Sequence, residues 1–315
     1  MKRIVVLLSS FNGEKYLKCQ MDSILSQQLD DCELTLFVRD DGSKDSTIEI
    51  LKTYEKQYNN VRVFYGKNEG LISSFFYLIL KAKEVGFDYY ALSDQDDKWD
   101  SDKLQIAINH LNEKDLPLLY ESTVRITDEF LNLKKIDQID VKPITFYNSI
   151  IQTISAGHTY VFNNRLMNEI RKDIDCTRIY VHDSFIHNIA VFKGKVLFDR
   201  TPHNDYRQHG NNVLGASQRK GIFNLIKMRI KRIKRGDNKK YAKQIFYYLD
   251  YFGDDLDPAI RDTIEEFFRC QRNFFTRLCY IFKTKLYRQT RFETLSFKLL
   301  YLFGGYNISN KGGSK

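Results

Sequence analysis

The first 95 residues alternate between two hydrophobic periods. Residues 3–8 form a nearly continuous apolar run rich in Val and Leu, as a strand covered on both faces would. From 13 to 28, Tyr16, Leu17, Met21, Ile24 and Leu25 recur at helical spacing. Residues 33–38 form a second apolar strand. Asp45-Ser46-Thr47 opens a helix through 58, with acidic or hydroxyl groups where exposed amides need a cap. A strand over 61–65, a helix over 70–85 and a strand over 88–93 follow. This β-α-β-α-β-α-β order predicts an α/β fold with a parallel sheet and right-handed crossovers. Further on, 117–120, 159–162 and 195–198 read as strands, and 163–172 and 183–192 as helices. After 216 the pattern is helical and rich in Tyr and Phe.

Composition narrows this picture. The chain has 315 residues, 43% hydrophobic and 28% charged, with only four Pro, which excludes disordered and collagen-like classes. The five cysteines form no CxxC pair and read as reduced thiols of a cytosolic protein. The basic-then-apolar N-terminus meets Ser9-Ser10 and then Asn12 and Glu14, so it reads as a strand rather than a signal peptide. Charge divides the chain. Residues 216–315 hold 22 basic and 9 acidic residues, whereas 1–215 hold 27 and 31. A boundary near 215 is therefore expected, between a domain over 1–215 and a basic, aromatic helical region over 216–315.

The polar clusters gather after the predicted strands, where ligands of such sheets bind. They are Ser9-Ser10-Phe11-Asn12-Gly13-Glu14, Arg39-Asp40-Asp41-Gly42-Ser43, Gly66-Lys67-Asn68-Glu69-Gly70 and Asp94-Gln95-Asp96-Asp97. Three carboxylates within four residues repel one another unless a cation or solvent offsets them, and oxygen ligands suit Mg²⁺ or Mn²⁺. The plainer reading is an acidic turn ahead of a helix. Asp40-Asp41 fits hydrogen bonds to a base or ribose, or a turn in which Gly42 supplies the unusual backbone angles. Asp183 fits a helix cap or a general base. His209, in the polar run 206–212, fits a solvated side chain or a further ligand for Mn²⁺. Neither GxGxxG nor GxxxxGK[ST] occurs, which disfavours hydride transfer and P-loop chemistry.

Taken in order, Ser9-Ser10-Phe11-Asn12-Gly13-Glu14-Lys15-Tyr16, Asp40-Asp41-Gly42-Ser43, Asp94-Gln95-Asp96-Asp97 and His182-Asp183 resemble the inverting family 2 glycosyltransferases of the GT-A fold. The acidic motif and the run from Tyr206 to Asn212 are most similar to bacterial rhamnosyltransferases of polysaccharide assembly. The resemblance covers residues 1 to 215. It implies that Ser9, Phe11 and Glu14 line a nucleotide, that Asp41 reads a pyrimidine ring, and that Asn68 and Gly70 flank the nucleotide sugar. It further implies Asp94 near the ribose or donor sugar, Asp96 on a Mn²⁺ or Mg²⁺ ion, Asp183 as the base, and His209 as a metal ligand or diphosphate contact. Ser184, rather than an aromatic residue, follows His182-Asp183, so the acceptor subsite is expected to differ. The stretch from Trp99 to Lys103 lacks the family's frequent Pro, which bears on where the next helix starts.

The implied reaction transfers a sugar from deoxythymidine diphosphate rhamnose, or a uridine diphosphate sugar, to a lipid-linked saccharide in cell-surface polysaccharide synthesis. Nucleotidyl transfer and a non-catalytic sugar-nucleotide-binding scaffold are the alternatives. Residues 219–240 hold ten Lys or Arg against one acid, Asp237. Drawn as a helix, they place Ile222, Ile226, Ile230 and Ile233 on one face, suited to an anionic membrane surface at the inner face of the cell membrane or to packing on the catalytic domain. A nucleic-acid partner is not expected, because no binding module accompanies the basic stripe. Phe267, Phe268, Phe274, Phe275 and Tyr280 read first as a helix-packing core or homodimer contact, ahead of a lipid-facing surface.

Overall fold

The computed structural model describes residues 1–112, 115–137, 142–210 and 236–308. Most of the basic segment over 219–240 lies outside them. The chain divides into two compact units. The first comprises Met1–Ile139, Ile154–Cys176 and Ile189–Ala216. The second comprises Asp140–Thr153, Thr177–Asn188 and Ser217–Lys315.

The first unit is built on a seven-stranded sheet. Its strands are β1 (Lys2–Ser10), β2 (Cys32–Asp40), β3 (Val61–Tyr65), β4 (Tyr89–Ser93), β6 (Leu118–Ser122), β9 (Val161–Asn163) and β10 (Lys195–Asp199), in the order β10-β6-β9-β4-β1-β2-β3. β1 pairs in parallel with β2 and β4, and β2 with β3. Ile4, Val5, Val6, Leu7 and Leu8 are all fully buried, as a central parallel strand requires. Ile4, Val6 and Leu8 join a core with Leu17, Met21 and Ile24 of α1 (Leu17–Leu25) and Leu51 of α2 (Thr47–Gln57). Each such side chain contributes roughly 1.5–3 kcal/mol on burial. The helix α3 (Leu71–Val85) packs on β1 and β2. Its Phe75, Phe76, Leu78, Ile79 and Ala82 are buried. The parallel core is as the sequence predicts. β9 runs antiparallel to β4 and β6 and closes the gap between them.

A second, four-stranded sheet does not emerge from the hydrophobic pattern. It joins β5 (Lys98–Trp99), β11 (Asn204–Arg207), β7 (Arg125–Thr127) and β8 (Leu133–Ile136) in that order. The polar run over 206–212 thus begins inside a strand. Asn204 faces Trp99 and Asp205 faces Lys98 in antiparallel register. Continued by two residues, that register brings Arg207 opposite Asp96. Pairing between segments a hundred residues apart therefore sets the position of the acidic motif.

In the second unit the described residues from 236 onward hold no strand and are mostly helical, with helices Asp237–Phe252, Pro258–Arg269, Phe274–Lys283 and Arg291–Leu302. Phe267 packs against Tyr301 (5.1 Å between ring centroids), Tyr306 (5.8 Å) and Tyr280 (6.2 Å), and all four rings are buried. Among the described residues no helix is long and apolar enough to cross a membrane.

Candidate active site

The loops after β1, β2 and β3 are knitted to one another by side chains from the predicted clusters. Gln95 Oε1 accepts from Ser10 Oγ and from the Phe11 amide, both at 2.9 Å, and its Nε2 donates to the Phe11 carbonyl at 3.0 Å. The Asn12 amide donates to Ser43 Oγ (2.9 Å), and the Lys44 amide returns to Asn12 Oδ1 (2.8 Å). Glu14 Oε2 accepts from the Ser46 amide at 2.9 Å. The amide of Thr47, the first residue of α2, donates to Asp45 Oδ1 at 3.1 Å, so Asp45 performs the capping expected of this stretch.

The two acids after β2 have different tasks. Both Asp41 oxygens are engaged, accepting from the amides of Glu69 (3.0 Å) and Gly70 (2.9 Å). Asp41 therefore braces the loop after β3, with Arg39 3.6 Å away. Asp40 Oδ2 accepts from the amides of Gly42 and Ser43, but its buried Oδ1 has no partner among the described residues. A buried carboxylate oxygen without a donor is costly, and a ligand N–H would satisfy it. Asp40 thus keeps an oxygen without a partner among the described residues, whereas both oxygens of Asp41, to which the resemblance assigns the ring contact, are engaged. Ser9 is buried, and its hydroxyl meets Ser74 Oγ at 2.7 Å. Phe11, Glu14 and Asn68 are exposed, and Gly70, with φ of +87°, is the residue just before α3.

The acidic corner follows β4. Asp94 and Asp96 are half-buried and Asp97 is fully buried. His209 Nε2 lies 2.7 Å from Asp96 Oδ2, and the His209 ring packs against Tyr16 at 4.7 Å. Asp97 Oδ2 meets His158 Nδ1 at 2.5 Å. Burial, then the Asp97 charge, pushes the Asp96 carboxyl above the usual carboxylate range, and His209 pulls it partly back. Burial opposes charge on His158, but the Asp97 carboxylate outweighs it and raises the imidazole pKa.

Three residues of this corner escape the sequence reading. Arg207, almost fully buried, donates through Nε to the Asp96 carbonyl (2.8 Å) and through Nη1 to the Glu129 carbonyl (2.7 Å). It thereby fixes the backbone that aims Asp96. His158 pairs with Asp97. Lys103 is fully buried, with Nζ 3.4 Å from the centre of the Trp99 ring and 3.1 Å from the His158 carbonyl. Burial lowers its pKa to about 7, although Asp97 and Asp100 act in the opposite direction.

Asp96 and His209 bring a carboxylate oxygen and an imidazole nitrogen to one point. The pair as a donor set suits Mn²⁺, whereas Mg²⁺ would draw on the Asp96 oxygen alone, and a cation there would offset the Asp96–Asp97 repulsion. A second group, Asp100, Asp102 and His203, also lies within ligating distance. Two of its three members already have partners, because Arg125 Nη1 and Nη2 span Asp100 at 2.8 and 2.5 Å and His203 faces Asp199 at 3.1 Å.

Asp183 belongs to the second unit. It lies in the first turn of the helix His182–Lys193 and is half-buried, with Oδ1 accepting from the Ser184 amide at 2.6 Å. The helix Asp237–Phe252 holds the start of the helix His182–Lys193. Gln244 Oε1 accepts from the amides of Tyr180 (2.8 Å) and Val181 (2.9 Å), and Tyr241 meets Ser184 Oγ at 2.8 Å.

Comparison with known proteins agrees with this architecture. The dTDP-rhamnosyl transferase RfbG of Shigella flexneri is 28% identical over 257 residues, covering 79% of this chain and 85% of the relative. The crystal structure of S. aureus TarS 1–349 in complex with UDP-GlcNAc superposes with a TM-score of 0.58 at 18% identity, over 96% of this chain and 82% of that one. The mannosyltransferase PcManGT from Pyrobaculum calidifontis, in complex with GDP-Man and Mn²⁺, gives 0.51 at 13% identity, over 96% and 86%. The fold is GT-A, a central sheet flanked by helices with a helical C-terminal region. The sequence profile described as Glycosyl transferase family 2 matches residues 5–189, more than half of the chain, and the protein belongs to that family.

Proposed function

We propose that this family 2 enzyme is an inverting, metal-dependent transferase that moves rhamnose from a deoxythymidine diphosphate donor to a lipid-linked saccharide during cell-surface polysaccharide synthesis in the cytoplasm. A uridine diphosphate sugar is the second donor. The observation that carries the reading is the Asp96–His209 pair, 2.7 Å apart beyond the carboxyl end of β4. The likeness to a relative named as a dTDP-rhamnosyl transferase supports the sugar.

Asp96 and His209 would hold the divalent ion, a Lewis acid that withdraws charge from diphosphate oxygens when bound. Arg207 anchors the Asp96 backbone, and His158 offsets the charge of Asp97 behind it. Ser9, Phe11 and Glu14 line the nucleotide, Asp40 and Asp41 recognise the base or support its loop, and Asn68, Gly70 and Asp94 border the ribose and sugar. Asp183 removes the proton of the acceptor hydroxyl, which attacks the anomeric carbon as the nucleoside diphosphate departs. A single displacement inverts that carbon and needs no enzyme nucleophile.

Incubation with dTDP-rhamnose, Mn²⁺ and a panel of lipid-linked saccharides, read by NMR of the product anomer, tests the proposal. The expected product has inverted configuration. Asp183→Asn should lower kcat by about 10²–10⁴-fold, and Asp96→Ala should abolish transfer. Retained configuration, or near-normal turnover by Asp183→Asn, contradicts it.

A further inference from the structure

Two consecutive helices of the second unit present large apolar side chains to solvent. Phe275 and Phe282, seven residues apart on the helix Phe274–Lys283, are 76% and 80% exposed. Leu295, Leu299 and Phe303 recur every four residues along and just beyond the helix Arg291–Leu302, so they share one side, and Phe303 is 76% exposed. The same helices bury Tyr280, Phe297 and Tyr301, so their inner sides are already committed to the core. The two helices pack against each other. Exposed apolar stripes of this size mark an interaction surface.

The charge around the stripes selects the occupant. Residues 270–308 carry seven Lys or Arg and one acid, Glu293. Arg272, Lys283, Lys285 and Arg291 are exposed. A second copy of this chain would set one such cationic field against another. An anionic lipid surface would neutralise it while the Phe and Leu side chains enter the interface. We infer that the helices Phe274–Lys283 and Arg291–Leu302 form a docking face for an anionic bilayer, with Phe275, Phe282, Leu295, Leu299 and Phe303 as its apolar anchors. This reassigns the ring-rich segment. Phe267 and Tyr280 form core, as the sequence suggests, whereas Phe275 faces outward. The inference stands on exposure and charge and does not require the donor assignment.

Co-sedimentation of the full chain with phosphatidylglycerol and phosphatidylcholine vesicles tests it, with the melting shift produced by nucleotide and Mn²⁺ as an independent check on the donor site. The wild type should partition onto phosphatidylglycerol vesicles and release at high salt. Phe275→Ser/Phe282→Ser and Leu295→Ser/Leu299→Ser should each weaken partitioning by about tenfold or more. Lys283→Glu/Lys285→Glu should do so by about tenfold. All three should keep the wild-type response to nucleotide. Equal sedimentation of wild type and variants would overturn the inference. So would vesicle-free wild type whose sedimentation velocity reports a dimer that Phe275→Ser/Phe282→Ser dissociates, since the face would then belong to a second copy.

Discussion

Lys103 is a charge-bearing side chain with no exposure, and its consequences follow from burial. Its folded pKa is about 7, against an ordinary value of 10.5. Between those values the unfolded chain binds more protons than the native one, so this side chain makes stability rise with pH. Within that window the gain approaches about 1.4 kcal/mol per pH unit. Lys103→Met removes the titrating group and keeps most of the volume over the Trp99 ring. Urea unfolding at pH 7.0 and 9.0 should show wild type gaining on the variant across that interval. Parallel pH profiles would mean that Lys103 does not titrate there. Asp96 and its neighbours are legible in the sequence because three acids in four residues have few structural explanations. His158 and Lys103 are not, because a lone histidine and a helix-start lysine look ordinary until Asp97 is seen buried against His158 and Lys103 against the His158 carbonyl and the Trp99 ring.

At the scale of elements, β1 to β4 and the helices between them can be read from the chain, since β1, β4 and the second half of β2 are buried, mostly apolar runs, β3 alternates Val and Phe with exposed positions, and each helix carries a spaced apolar stripe. The second sheet cannot. β5 has two residues and β7 three, both with polar positions, and their partners lie far along the chain. Their pairing depends on contacts such as Arg125 with Asp100 and Asp205, at 2.5 and 2.6 Å, which no local pattern encodes. The loop after β2 also depends on a distant neighbour. Gly42 has φ of +79°, and a Cβ there would lie 2.9 Å from the Asn68 backbone nitrogen. Gly42→Ala should therefore lose about 1–3 kcal/mol, measured by urea unfolding. Nucleotide affinity, measured by calorimetry, should fall with it, because the change pushes the loops after β2 and β3 apart. Unchanged stability and affinity would show that the turn relaxes without cost.

Across the whole molecule, the acidic corner and the assigned base fall in different compact units. Asp183→Asn is therefore expected to retain the melting shift with nucleotide and Mn²⁺ that Asp96→Ala loses. The exposed aromatic face lies in the second unit, so membrane attachment and donor binding should be separable by mutation. Most of this organisation rests on the acidic corner itself. Anomalous diffraction from crystals soaked in Mn²⁺ and deoxythymidine diphosphate should give a peak touching the Asp96 carboxylate, His209 Nε2 and the diphosphate. A peak at Asp100, Asp102 and His203 instead, or nucleotide bound with no manganese at Asp96, would contradict it.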